Sequence, residues 1–230
     1  QVGPPLRFAA LAGRIDIAKE LLQQGACVDA PLVDTHWGLF GEGFTILHGV
    51  SVARDAPEMV EFLMEHRADP CRLEMSHSQN NALHLAAHGG HCGNVAAIIR
   101  RAPEAACANA WGTHPWQVAS CYGHNHVLQL FFNDYPEHVD SDPQSIGITM
   151  DNSVVTFAAL SGDVPTLQLL LDRNYDIDYI GQPTGSMRYE LMKMKLRWCL
   201  QRNPSPWTEL VAGTPTTPLA AAATLAHMGA

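Results

Sequence analysis

Apolar residues along this chain come in paired clusters set off by glycine, and the pairing recurs. The first pair reads Pro5-Leu6-Arg7-Phe8-Ala9-Ala10-Leu11-Ala12-Gly13, continues with Ile15, Ile17, Ala18, Leu21 and Leu22, and closes at Gly25-Ala26-Cys27-Val28-Asp29. This order predicts a short helix stopped at Gly13, a second helix stopped at Gly25, and an extended exit. Glycine suits both stops because the residue after a helix often sits at positive φ. The clearest copies lie between Asn80 and Phe132. There Asn81-Ala82-Leu83-His84-Leu85-Ala86-Ala87 is followed by Gly90-His91 and by Val95, Ile98 and Ile99. Thirty-three residues after Leu83 the order restarts with Gly112-Thr113-His114-Pro115-Trp116-Gln117-Val118-Ala119, then Gly123-His124 and Val127, Leu128 and Leu130.

Two looser copies complete the series. One holds Gly43-Phe44-Thr45-Ile46-Leu47-His48, then Pro57 to Met64 and Ala68-Asp69-Pro70; in it Arg67 stands where glycine is expected and Val50-Ser51 replaces Ala-Ala. The other runs from Val155 through Ala158-Ala159 and Gly162 to Leu167, Leu169, Leu170 and Leu171, with Asn174 in the glycine slot. Asparagine is a plausible left-handed substitute there.

A thirty-three residue period with this internal order resembles the ankyrin repeat, a β-turn followed by two antiparallel helices. The resemblance implies an all-α solenoid of helix-turn-helix units with hairpin loops. Five repeats are expected at about residues 4–30, 43–71, 79–108, 111–140 and 153–179, followed by an insertion at 180–212 and a partial sixth repeat at 213–230. The paired alanines are needed where neighbouring inner helices press together, since larger side chains would hold the stack apart. The first unit starts abruptly and the sixth holds one helix, so the sequence is expected to be a segment of a longer protein.

The anchors Leu6, Leu47, Leu83, Trp116, Val155 and Leu219 are spaced 41, 36, 33, 39 and 64 residues apart, and the excess marks insertions. In such arrays insertions map to loops, often on the binding face. Pro31 to Glu42 carries Trp37, Leu39 and Phe40 on a mainly solvent-facing loop. Trp37 either folds back over the neighbouring repeat or anchors a partner, Trp being a favoured hot-spot residue. Tyr135 to Asn152 is acidic, with Glu137, Asp140, Asp142 and Asp151, and reads as a solvated loop; the spacing of a calcium loop is absent. In Ile180 to Ala212, residues 187–201 predict a helix with Met187, Leu191, Met194 and Trp198 on one stripe. Arg188, Lys193, Lys195, Arg197 and Arg202 make it basic. Such a helix packs on the scaffold or meets a partner.

Composition narrows the function classes. A net charge of −9 argues against a nucleic-acid backbone as partner. No apolar run approaches the roughly 20 residues of a membrane span. The six cysteines are dispersed without a CxxC pair, which reads as reduced thiols and a cytoplasmic or nuclear setting. His84, His88, His91 and Cys92 have spacing a zinc ion could use. The resemblance, however, implies structural roles for His84 and His91, bonding backbone in the turns, so no metal is expected. No catalytic motif and no cofactor site is present. Ser120-Cys121 near His124 and His126 lacks an oriented base.

The resemblance implies a protein–protein interaction scaffold that binds a partner protein through its concave hairpin and inner-helix surface. Carried onto this sequence, the groove positions are Trp111 at a hairpin tip, Phe44, Asn80 and His114 in turns, and His88 and Tyr122 late on inner helices. Trp37 and Phe40 join them from the first insertion. Trp116, replacing the usual leucine, is expected in the core. Alternative readings are a regulatory segment of a larger enzyme or channel, or an ankyrin-scaffold enzyme or metal-binding protein.

Overall fold

The computed structural model describes residues 4–30, 43–75, 78–110, 112–140 and 154–175. The insertion expected at 180–212, the basic helix expected within it and the partial sixth repeat expected at 213–230 lie outside them, as do Trp37, Phe40 and Trp111. Among the described residues the secondary structure is helical, with no strand. The chain divides into two compact units, residues 1–109 and 110–230.

The first unit holds three helix pairs: α1 (Pro5–Leu11) with α2 (Ile15–Gln23), α3 (Ile46–Ala53) with α4 (Pro57–Glu65), and α5 (Ala82–Gly89) with α6 (Cys92–Arg101). A 3-10 turn at Pro103–Ala106 follows. Inner helix α3 packs against both α1 and α5, and outer helix α4 against α6. The core is what the repeated pattern predicts. Leu6, Leu47 and Leu83 are at most 1% exposed, and Ala10, Ala86 and Ala87 are fully buried between inner helices. Each fully buried leucine contributes roughly 1.5–3 kcal/mol relative to exposure. Val50 and Ser51, in the paired-alanine slot of α3, are also fully buried.

The helix stops follow from hydrogen-bond chemistry. At the end of α4, Arg67 has φ 70°. Its N–H donates to the Met64 carbonyl, and that of Ala68 donates to Leu63, 3.0 Å in each case. This double bond closes the last turn of the helix and needs a left-handed residue. An arginine can occupy that slot at a cost of about 1 kcal/mol because the paired bonds hold it there. The glycine expected from the pattern is therefore replaced in side chain but not in conformation.

The second unit contains α7 (Pro115–Cys121), α8 (Asn125–Asp134), α9 (Pro136–Asp140), α10 (Val154–Ser161) and α11 (Val164–Asp172). Helix α7 packs on α10, and α8 on α11. Trp116 is 5% exposed and meets Phe131 edge-on at 5.8 Å, a core role as expected. Asn174 has φ 60° and repeats the Arg67 geometry: its N–H donates to Leu171 and that of Tyr175 to Leu170. One expectation is corrected. The stretch from Tyr135 was read as a solvated loop, but Pro136–Asp140 forms α9, with Val139 only 2% exposed. Pro136 cannot extend α8, yet its fixed φ suits the first turn of a new helix.

Candidate interaction surface

In the first unit two exposed apolar side chains, Leu73 and Met75, lie on the hairpin finger between α4 and α5. Asp69 folds its start, accepting the Cys71 N–H at 2.9 Å. The extended chain then alternates: Leu73 is 43% exposed, Glu74 is 6% exposed, and Met75 is 69% exposed. Glu74 turns inward because three donors await it. Its carboxylate accepts from Ser78 Oγ at 3.3 Å, the Asn80 N–H at 3.4 Å and Asn80 Nδ2 at 3.2 Å. Its own N–H donates to the Asn80 carbonyl at 3.0 Å, closing the hairpin. Asn80 Oδ1 in turn accepts from Asn109 Nδ2 at 2.8 Å. Burying a carboxylate is costly unless such bonds replace water. With Glu74 held inward, the extended backbone sends Leu73 and Met75 to the other side.

The finger is seated on the preceding turn. His48 donates through Nε2 to the Arg72 carbonyl at 2.9 Å, while its Nδ1 accepts the Thr45 N–H at 3.0 Å; we assign this neutral tautomer from the bond pattern. Burial pushes the His48 pKa down, with the Arg72 carbonyl and the Glu74 charge opposing that shift. Gly43, at φ 84°, lies backbone to backbone with the finger: a Cβ there would come 3.1 Å from Met75 Cγ and 3.2 Å from the Leu73 carbonyl.

The sequence-predicted contacts separate into three groups. Asn80 is part-buried, bonded within the finger, and so positions it. Phe44 is 2% exposed, with its ring 5.3 Å from that of His48, and belongs to the core rather than to an accessible surface. His88 is half-buried in the last turn of α5, and Leu85 one turn earlier is partly exposed too. In the second unit His114 is half-buried and stacks on Trp116 at 4.3 Å. Tyr122, just past α7, is 54% exposed. The sequence reading missed Leu73 and Met75. Their signal was an apolar-acid-apolar alternation between a helix exit and the next turn, legible only once the acid is known to point inward.

The histidine cluster has ordinary structural partners. His84 Nδ1 lies 2.7 Å from Asn81 Oδ1, which also accepts the N–H groups of Leu83 and His84 and so caps α5. His91 Nε2 reaches the Val52 carbonyl of α3 at 3.1 Å. Among the described residues no group of three His, Cys, Asp or Glu side chains could hold a metal ion. The Cys71 thiol is pushed up to about 11 by burial, with Glu104, Asp69 and Cys107 adding to the shift.

No helix among the described residues is long and apolar enough to cross a membrane. The family model described as ankyrin repeats (3 copies) matches residues 6–106, the stretch that folds into the three helix pairs of the first unit. No curated protein matches the chain. Ankyrin repeats are in general protein–protein interaction modules. Over residues 6–106 the chain carries ankyrin repeats, as the match and the three helix pairs together show.

Proposed function

We propose that the chain recognises a partner protein through the finger between α4 and α5 and the adjoining exposed positions of α5. The observation that carries this is Leu73 and Met75, 43% and 69% exposed on a finger whose other side is locked by Glu74 and Asn80. Two apolar side chains held outward on a bonded hairpin lose little conformational freedom on binding, which is how preorganisation raises affinity. Methionine adds a polarizable, adaptable contact. Leu85 and His88 extend the surface along α5, and Arg72 gives its rim one exposed charge. Tyr122 is a separate contact offered by the second unit. Trp37, Phe40, Trp111 and the basic segment 187–201 remain proposed contacts by residue type and position.

The test is affinity capture from cell extract with mass spectrometry, using the wild type beside a Leu73→Ser/Met75→Ser double variant. Both side chains are exposed, so helicity by circular dichroism should match the wild type. A protein retained by the wild type and lost by the variant supports the finger as the binding surface. Equal retention by both removes the finger from the proposal.

A further inference from the structure

Met59, Met64 and Met75 fall among the described residues, and the fold treats them differently. Met59 is 1% exposed within α4, Met64 is half-buried in the last turn of that helix, and Met75 on the finger is 69% exposed. The stem of Met75 is nonetheless placed. Its Cγ lies where a Cβ on residue 43 would come within 3.1 Å, and Gly43 leaves that space free. The side chain therefore starts against the backbone of the preceding turn and ends in solvent.

The bonds that hold the finger run through other groups. Glu74 takes the Ser78 and Asn80 donors, its N–H closes on the Asn80 carbonyl, and His48 donates to the Arg72 carbonyl. The Met75 side chain takes no part in these bonds, so chemistry at its sulfur can proceed while the hairpin stays closed. An open thioether is a target for two-electron oxidants, and the sulfoxide that forms is polar where the thioether was apolar. Thiols react with such oxidants as thiolates. Cys71, half-buried at the base of the finger and pushed up to about 11, is held as the thiol.

We propose that Met75 is an oxidation site that switches the finger: a peroxide converts its thioether to the sulfoxide, the hairpin keeps its fold, and the contact offered to a partner turns from apolar to polar. The inference rests on the reading of the finger as a binding surface. In the reaction the sulfur lone pair attacks one oxygen of hydrogen peroxide, so that an S–O bond forms as the O–O bond breaks. The sulfur is oxidised by two electrons, and the departing hydroxide takes the proton of the transferred hydroxyl and leaves as water. Methionine sulfoxide reductases reverse the change. A polar S=O set into an apolar contact without a donor to meet it weakens binding by about tenfold or more.

The experiment treats the 230-residue chain with hydrogen peroxide, recovers the thiols with dithiothreitol, and follows the oxygen gained by each methionine over time by peptide mass spectrometry. Met75 should be oxidised about tenfold or more faster than Met59. Circular dichroism, and hydrogen exchange of the finger, should match the untreated chain. Oxidation of Met75 no faster than that of Met59, or a finger that opens once oxidised, overturns the proposal. The binding arm uses the protein that the wild type retains and the Leu73→Ser/Met75→Ser variant loses. Oxidised wild type should bind it about tenfold or more weakly, methionine sulfoxide reductase should restore binding, and peroxide should leave binding by Met75→Leu unchanged. Equal weakening of Met75→Leu assigns the effect to another residue and overturns the switch. If wild type and the double serine variant retain the same proteins, the binding role falls with the finger reading, and the oxidation rates alone decide whether Met75 is the modified site.

Discussion

The two joints of the first unit are built from the same repeat yet held differently. Where α5–α6 meets α3–α4, buried polar bonds join the apolar packing of the helices. Asn94 makes three bonds across this joint, Asp55 accepts the Gly93 and Asn94 N–H groups at 3.1 and 2.9 Å, and His91 reaches Val52. Arg100–Glu61 and Arg101–Glu65 close its rim at 3.0 and 2.6 Å. Where α3–α4 meets α1–α2, the helices rest on buried Leu6 and Ala10. The bonds across that joint include Arg54 to the Leu11 carbonyl and the Asp69 N–H to Asp29, both a long 3.4 Å. A stack is therefore not uniform: apolar burial sets that neighbours pack, and bonded polar side chains set how firmly. Local opening is expected at α1–α2 before α5–α6, since stability in repeat arrays is a sum of unit and neighbour terms.

The largest effect that would erase this contrast is Asn94→Ala. It leaves the Ala56 N–H and two carbonyls buried without the amide, a loss of about 2–4 kcal/mol by chemical denaturation. Hydrogen exchange of α5–α6 should then approach that of α1–α2; unchanged exchange would mean that the bonds do not hold the joint. Gly89→Ala comes next. A Cβ there would lie 2.5 Å from the His91 ring and 2.9 Å from the Val52 carbonyl, so either His91 loses its bond or α3 and α5 move apart. A loss of about 1–3 kcal/mol is expected, partly recovered by truncating His91 in the same chain.

A pH titration sharpens the comparison further. The folded-state pKa of His48 is held below its ordinary value by burial, so the unfolded chain binds the proton more readily. Stability from this site is therefore complete above the ordinary histidine range near 6.5. It falls as pH drops below that range toward the folded pKa, by at most ~1.4 kcal/mol per pH unit. His48→Gln should flatten that dependence, measured by urea unfolding between about pH 5 and 8, and loosen the finger at Arg72. The smallest effect is expected of Arg100→Ala. The pair with Glu61 is solvent-exposed on the arginine side, so its loss should cost no more than about 0.5 kcal/mol, and less in high salt. A larger loss would place the strength of the second joint in its rim rather than in Asn94.

Much of the fold was legible from short patterns. Gly13, Gly25 and Gly90 mark helix stops, and Asn174 was correctly read as a left-handed substitute because only backbone conformation matters in that slot. Arg67 looked like a degenerate copy and kept the same conformation, which paired backbone bonds impose whatever the side chain. The surface was less legible. Phe44 and Asn80 were assigned by position as contacts, but one is packed against His48 and the other bonded inside the finger. Leu73 and Met75 passed unnoticed because their exposure depends on where Glu74 finds its donors.

Sequence alone determined the unit of construction: two short helices, a left-handed stop, and an anchor of Leu6, Leu47 or Leu83 in each pair. These are local matters, set by periodicity and backbone sterics within a few residues. Tertiary structure alone decided which polar residue ties one pair to the next and which side of the finger faces outward. Those outcomes depend on groups some forty residues apart, as Asn94 and Arg54 are, and no local pattern names the partner before the chain has stacked.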